Sequence, residues 1–115
     1  MHELSIAIGI LELTEEESEK RGGVHIDAIH IRLGPLSGVV KEALLSAWQL
    51  ASERTEFESS RLVIEDVPIA VFCSKCQAER PVQSIQQMCC AECETPSSDV
   101  MHGRELLVSG LELAE

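Results

Sequence analysis

Apolar residues in the first twenty positions recur at helical spacing. Leu4, Ala7, Ile8 and Leu11 form a stripe, Ile10 and Leu13 widen it, and Glu12, Glu15, Glu16 and Glu19 fall mostly elsewhere. The pattern predicts an amphipathic helix from His2 to about Lys20, closed by Arg21-Gly22-Gly23, where a cation precedes residues that accept left-handed backbone. The period then changes. Val24 to Leu33 is rich in β-branched residues, with Ile29, Ile31 and Leu33 on one face and His30 and Arg32 on the other. Val24 and Ile26 have the opposite parity, which predicts a late start or a bulge. Gly34-Pro35-Leu36-Ser37-Gly38 breaks the chain. A second helix is expected to run to about Ser52 and to bury Val40, Leu44, Ala47, Trp48 and Ala51.

Arg61 to Val67 reads as another strand, ended by Pro68. Arg104 to Leu113 reads as a last one, with Leu107, Leu111 and Leu113 on one face and Leu106 and Val108 on the other. Between them, about Ile69 to Val100 is polar, carries Pro81 and Pro96, and has little apolar material for a core of its own. The expected fold is α/β: a small three-stranded sheet with two helices on one face, plus a module inserted before the last strand. The domain division read from this pattern is 1–68 with 101–115, and 69–100. Strand pairing order does not follow from the pattern.

The inserted segment holds all five cysteines, and four of them form two Cys-x-x-Cys pairs: Cys73 with Cys76, and Cys90 with Cys93. Two residues between thiolates let one tight turn present both sulfurs to one ion. Two such turns facing each other complete the tetrahedral shell that Zn²⁺ accepts, so the segment reads as a zinc ribbon. A redox Cys-x-x-Cys normally occurs once, at a helix start after a strand, and a disulfide framework belongs to secreted chains. With all four positions filled by protein, the metal is expected to fold the segment rather than do chemistry. Cys89 reads as a spare thiol beside the site, the alternative being a register in which it replaces Cys90.

Twenty acidic residues against nine basic ones give a formal net charge of −11. Many zinc ribbons bind nucleic acid, but that role needs a concentrated basic surface, and this chain offers the opposite field. No basic leader and no long apolar run is present, so neither a secretory nor a membrane-spanning segment is expected. A soluble, cytoplasmic protein with reduced thiols follows as the expectation.

The other feature with chemistry is the start of the chain, Met1-His2-Glu3. A free α-amine, a histidine imidazole and the intervening amide nitrogen can close fused chelate rings around one ion, and Glu3 adds an amide and a carboxylate. Such a flat nitrogen set favours square-planar Ni²⁺ or Cu²⁺ over tetrahedral Zn²⁺. His2 is not small, so aminopeptidase processing is expected to leave Met1 in place. Of the remaining histidines, His25 and His30 read as exposed strand positions and His102 as part of the connection leaving the cysteine segment.

Met-His-Glu at the start, a strand closing on Gly34-Pro35-Leu36-Ser37, the two Cys-x-x-Cys pairs, and Gly103-Arg104-Glu105-Leu106 with Ser109 together resemble the HypA/HybF-type nickel-insertion proteins of hydrogenase maturation. The resemblance runs along essentially the whole chain. It implies a non-enzymatic metallochaperone that holds Ni(II) through Met1, His2 and Glu3 and passes it to the large subunit of a [NiFe]-hydrogenase. A HypB-type GTPase is the implied working partner, with urease maturation proteins served in some organisms, and Zn(II) at Cys73, Cys76, Cys90 and Cys93 is structural. No nucleic-acid or membrane partner is implied. Some family members carry an aspartate near the nickel site, six residues after the glycine that ends the first strand, and here that position is Val40. Glu42 is nearby in sequence but is not placed at the metal by it. The rival functional class is a protein-interaction adaptor whose zinc ribbon recognises another protein and whose Met1-His2-Glu3 is incidental; a thiol oxidoreductase is a third.

Overall fold

The computed structural model of the chain describes residues 2–114, the side chain of His2 excepted. Element order is α1 (His2–Lys20), β1 (Ile26–Leu33), a short 3-10 turn (Pro35–Ser37), α2 (Lys41–Ser52), β2 (Arg61–Asp66), β3 (Ala70–Cys73), β4 (Ala78–Pro81), β5 (Val100–His102) and β6 (Leu106–Leu113). Two sheets form, one in the order β2-β1-β6 and one in the order β4-β3-β5. The first is the expected three-stranded sheet, with β1 at its centre. Strands β3, β4 and β5, inside the cysteine segment, carry no apolar alternation strong enough to be read from sequence.

The chain divides into two compact units. One comprises residues 1–32, 39–65 and 107–115; the other comprises 33–38 and 66–106. The core of the first is built from Ala7 and Ile10 of α1, Ile26, Ile29 and Ile31 of β1, Leu44 and Trp48 of α2, and Phe57. Trp48 donates its indole N–H to the Ser60 carbonyl at 3.0 Å, and the Ser60 hydroxyl donates to the Ile26 carbonyl at 2.5 Å. Buried polar groups are thus spent on tying α2 to β1.

Helix α1 ends as its glycines foretell. Gly22 and Gly23 have φ of 78° and 84°. The Gly23 N–H reaches the Ser18 carbonyl at 2.8 Å and the Gly22 N–H the Glu19 carbonyl at 3.1 Å, the paired bonds of a Schellman cap. Its buried face differs from the expected one. Ala7, Ile10, Thr14 and Ser18 face inward, while Ile8 and Leu13 are exposed. The first half of α1 is apolar on nearly every side, so spacing alone did not fix its rotation. Thr14 and Ser18 complete the inner stripe by donating to the carbonyls of Ile10 and Val24.

The late start of β1 is borne out, and two further expectations need correction. Strand β1 starts at Ile26, two residues late, and the successive burial of Ala28 and Ile29 marks the parity change that Val24 and Ile26 signalled. Val40 is not buried: it is the N-cap of α2 and 59% exposed. In β6 the faces are not those expected, since Val108 and Leu111 both pack on the core whereas Leu106, Leu107 and Leu113 are exposed.

In the second unit, two glycine motifs far apart in the chain meet through their main chains. Gly34 N–H donates to the Glu105 carbonyl at 2.8 Å, and Leu36 N–H to the Gly103 carbonyl at 2.7 Å. A Cβ on Gly34 would lie 2.1 Å from the Gly103 oxygen. Gly103 itself has φ of 120° and is backed by Ile69, 3.0 Å from where its Cβ would be. Residues 33–38 therefore pack with the cysteine-bearing segment rather than with the helices.

Gly34→Ala should destabilise the second unit by about 3 kcal/mol or more, since backbone cannot yield as a flexible side chain would. Gly9→Ala, on an exposed turn of α1 with open space around it, should instead stabilise by about 0.5–1 kcal/mol. Denaturant unfolding of the two variants tests this pair of opposite signs.

Candidate metal centre

Cys73 closes β3 and pairs with Ala78 across the β3–β4 hairpin, so Cys73 and Cys76 lie at the two ends of one tight loop. The Cys76 N–H donates to the Cys73 sulfur at 3.3 Å, directing that sulfur toward the inside of the loop. The second loop is shaped by bonds from Cys90 N–H to the Thr95 carbonyl at 2.9 Å and from Glu94 N–H to the Cys90 carbonyl at 2.8 Å. An isolated bridge between Val82 and Cys90 ties it to the chain leaving the hairpin, and one between Cys89 and Pro96 closes its base. Both loops turn on the residue after their second cysteine: Gln77 has φ of 54° and Glu94 φ of 63°. Neither is glycine, so each costs about 1 kcal/mol of strain that the site has to offset.

The result is one cluster. The ligand atoms of Cys73, Cys76, Cys90 and Cys93 all lie within 4.8 Å of one another. Individual separations are 3.4 Å for Cys73 with Cys93, 3.7 Å for Cys76 with Cys93 and 3.9 Å for Cys76 with Cys90. These are far beyond a disulfide bond, about 2.05 Å. They bracket the edge of about 3.8 Å that a tetrahedron with metal–sulfur distances of about 2.3 Å requires. Donor chemistry agrees with distance, because four thiolates suit zinc or an iron–sulfur centre and leave no position for water. Cys73 and Cys90 are buried. Cys89 is not part of the cluster.

The thiols are electrostatically unequal. Thr95, through its hydroxyl and its main-chain group, draws Cys93 down from 9.0 to about 6. The Arg80 guanidinium pulls Cys76 down, but hydrogen bonds with Cys93, Cys73 and Cys90, together with burial, outweigh it and hold that thiol up at about 11. A coordinated dication deprotonates thiols outright and removes the difference. Four thiolates on a dication remain anionic, and Arg80, whose own pKa is raised by its bond to Cys76, sets a positive charge against them.

Other sites read from sequence fare differently. Met1 and the His2 side chain lie outside the described residues. Glu3 is described, and its Oε2 accepts from the Val40 N–H at 3.4 Å, so position 40 stands beside Glu3 at the start of α2. Their separation of 37 positions in the chain gave no hint of this. His25 lies before β1 and is 3.7 Å from Asp27. His30, in β1, is 2.5 Å from Glu112. His102 belongs to β5 rather than to a connection. It stands between two carboxylates, 2.8 Å from Glu105 and 3.5 Å from Glu79. Among the described residues, only the four cysteines gather three or more such ligands around one point.

Glu105, named in the sequence only as part of the Gly103-Arg104-Glu105-Leu106 motif, has a structural role. One carboxylate oxygen meets His102 Nδ1 at 2.8 Å and the other accepts from the Gly103 N–H at 2.6 Å, fixing the turn that receives Gly34. The bond to His102, then that from Gly103, lowers its pKa from 4.5 to about 2.

The comparisons with known proteins agree with one another. A family model described as hydrogenase/urease nickel incorporation, metallochaperone, HypA, matches residues 1–113. The hydrogenase maturation factor HypA of Chloroflexus aurantiacus is 39% identical over 112 residues, covering 97% of this chain and 98% of that protein. Its counterpart from a Roseiflexus species is 38% identical, covering 97% of this chain and 91% of that protein. In fold, the chain matches a solution structure of a HypA protein with a TM-score of 0.72 at 23% identity, covering 99% of this chain and 97% of that one. It also matches the solution structure of the Ni metallochaperone HypA from Helicobacter pylori with a TM-score of 0.65 at 23% identity, covering 98% of each.

Two outcomes follow from this geometry. Cys76→Ser should weaken zinc retention by about tenfold or more and loosen residues 69–100, leaving the β2-β1-β6 sheet intact; metal content and amide exchange measure both. Unchanged zinc in that variant excludes Cys76 as a ligand. For Glu105, a folded pKa below the unfolded one means that its stabilisation is complete above the unfolded value, near 4.5, and is lost as pH falls toward about 2. A carboxyl-carbon NMR titration should place its midpoint near 2 and move it up toward the ordinary glutamate range in His102→Ala.

Proposed function

The chain belongs to the HypA family of hydrogenase/urease nickel-incorporation metallochaperones, and on that premise we propose that it carries Ni(II) at its amino terminus and hands it to the large subunit of a [NiFe]-hydrogenase. It is a maturation factor, not an enzyme. The observation that carries the proposal is the reach of the family match, from residue 1 to residue 113, which takes in Met1-His2-Glu3 and both cysteine pairs.

The proposed carrier site uses the Met1 amine, the His2 amide and imidazole, and Glu3. Helix α1 begins at His2, and the first-turn amides of any α-helix have no carbonyl four residues earlier to bond. Amide nitrogens at this end are therefore not committed to the helix and can serve as donors. Three nitrogens in fused rings impose a flat geometry that suits nickel and disfavours zinc. Val40 offers no carboxylate, so the set is completed from the terminus itself. An open site at a chain end suits a cargo that must leave. A closed site of four thiolates suits a resident ion, and zinc there contributes roughly 10–16 kcal/mol to folding in comparable modules. Residues 1–68 with 101–115 are proposed to serve nickel, and 69–100 zinc. A HypB-type GTPase is the proposed partner, urease maturation proteins are further clients where they exist, and the protein works in the cytoplasm. Among the described residues no helix is long and apolar enough to cross a membrane.

Adding two residues before Met1 turns its amine into an amide without altering a side chain. Nickel affinity should fall by about 100-fold or more, with zinc content and circular dichroism unchanged, and His2→Ala should do the same. Isothermal titration of the untagged, zinc-loaded protein measures it. Equal nickel binding by the extended chain removes the terminal chelate from consideration, and hydrogenase maturation that survives a nickel-blind variant removes the carrier role.

A further inference from the structure

The two cysteine loops are near repeats of each other, and they differ at one informative place. In each, the residue after the second cysteine is left-handed, Gln77 in the first loop and Glu94 in the second. The position after that is Ala78 in the first loop and Thr95 in the second. Ala78 opens β4 and pairs with Cys73, and its methyl group has nothing to donate to a sulfur. In the second loop the left-handed turn at Glu94 brings the Thr95 hydroxyl back to 3.1 Å from the Cys93 sulfur.

Three properties of Thr95 point the same way. It holds both cysteines of its loop, because its carbonyl also accepts from the Cys90 N–H at 2.9 Å. Its hydroxyl is placed at little cost in entropy: a residue before proline is confined to extended backbone, and a β-branched side chain to few rotamers. Pro96, which imposes the first restriction, is itself bridged to Cys89. The direction of the bond is also fixed once a metal is bound, since a thiolate only accepts and the hydroxyl must then donate. Such a bond draws electron density from the sulfur, which makes it a weaker base and a weaker nucleophile while it stays on the ion.

We propose that Thr95 is a positioning residue for the resident zinc, whose hydroxyl holds the Cys93 thiolate on the ion and shields that sulfur from electrophiles, so that the cage stays closed. The first loop meets the same need by other chemistry, since the Arg80 guanidinium stands against Cys76 where Ala78 offers no donor. Each loop thus brings one side-chain donor to its second cysteine, a cation in one and a neutral hydroxyl in the other. A protein that also handles a labile ion gains from a cage that neither exchanges its metal nor reacts. The inference concerns the zinc cage alone and stands or falls independently of nickel binding.

The test uses the full-length, zinc-loaded, nickel-free protein. Thr95→Val replaces the hydroxyl by a methyl group of similar size and leaves the main-chain bond to Cys90 in place, whereas Thr95→Ser keeps a hydroxyl. Zinc transfer to a chromophoric chelator should be about tenfold faster in Thr95→Val than in wild type, and within about twofold of wild type in Thr95→Ser. Alkylation by iodoacetamide, mapped by peptide mass spectrometry, should reach Cys93 earlier in Thr95→Val and not in Thr95→Ser. With Co²⁺ in place of zinc, the thiolate-to-cobalt charge-transfer band should move to lower energy in Thr95→Val only, because the sulfur that has lost its donor gives up an electron more readily. A transfer rate unchanged in Thr95→Val overturns the proposal. So does a Thr95→Ser protein that releases zinc as fast as Thr95→Val, since side-chain shape rather than the hydroxyl then retains the ion, and so does a cobalt band at the same energy in all three proteins.

Discussion

Four sulfur atoms held within 4.8 Å of one another place a demand on the cysteine-bearing unit that its apolar residues cannot meet. Thiolates at that range repel, and neutral thiols at that range make only weak bonds. A dication answers both problems, and the surroundings are arranged for one. Two loops each accept a left-handed residue that is not glycine, Gln77 and Glu94. Arg80 stands against the cluster. Thr95 already favours the ionised form of Cys93. Strain and charge of this kind persist only where a stronger interaction over-determines them. The short strands β3, β4 and β5 are then consequences of the cluster as much as causes of it, being too small to stand without a staple.

Main-chain contact between the Gly34 and Gly103 turns completes that unit. Neither turn can be understood alone. Gly34 has an extended conformation that any residue adopts, and its requirement for glycine comes wholly from the Gly103 oxygen in front of it. Glu105 then holds Gly103 from the other side through its amide and through His102. Two stretches that carry the family resemblance are therefore one structural device, and their role is to bring residues 33–38 to the cysteine segment.

The two proposed metal roles separate along the same physical line. A tetrahedral site with every position filled retains its ion, and one built from the end of a chain can release it. Glu3 is the one proposed nickel residue whose side chain is described, and its carboxylate meets the start of α2 at the Val40 N–H.

Much of this was legible in the residues. Periodicity gave α1 to within its observed ends, because Gly22 and Gly23 force a stop, and the Cys-x-x-Cys pairs named the four clustered sulfurs, because two turns of that length can point only inward at one ion. The three-stranded sheet and the inserted module followed from the order of elements. Tertiary structure decided what local pattern leaves degenerate. The rotation of α1 was ambiguous since its first half is apolar on most sides, and packing against β1 chose Ala7 and Ile10 over Ile8. Val40 looked like a core residue of α2 but became its exposed cap, since a hydrophobic side chain carries no information about where a helix starts. The meeting of Glu3 with Val40, of Gly34 with Gly103, and of His102 with Glu79 links residues far apart in the chain, except where Glu105 is near. Contacts of that kind depend on the path of the backbone in space, which the side chains specify only together and no single stretch specifies alone.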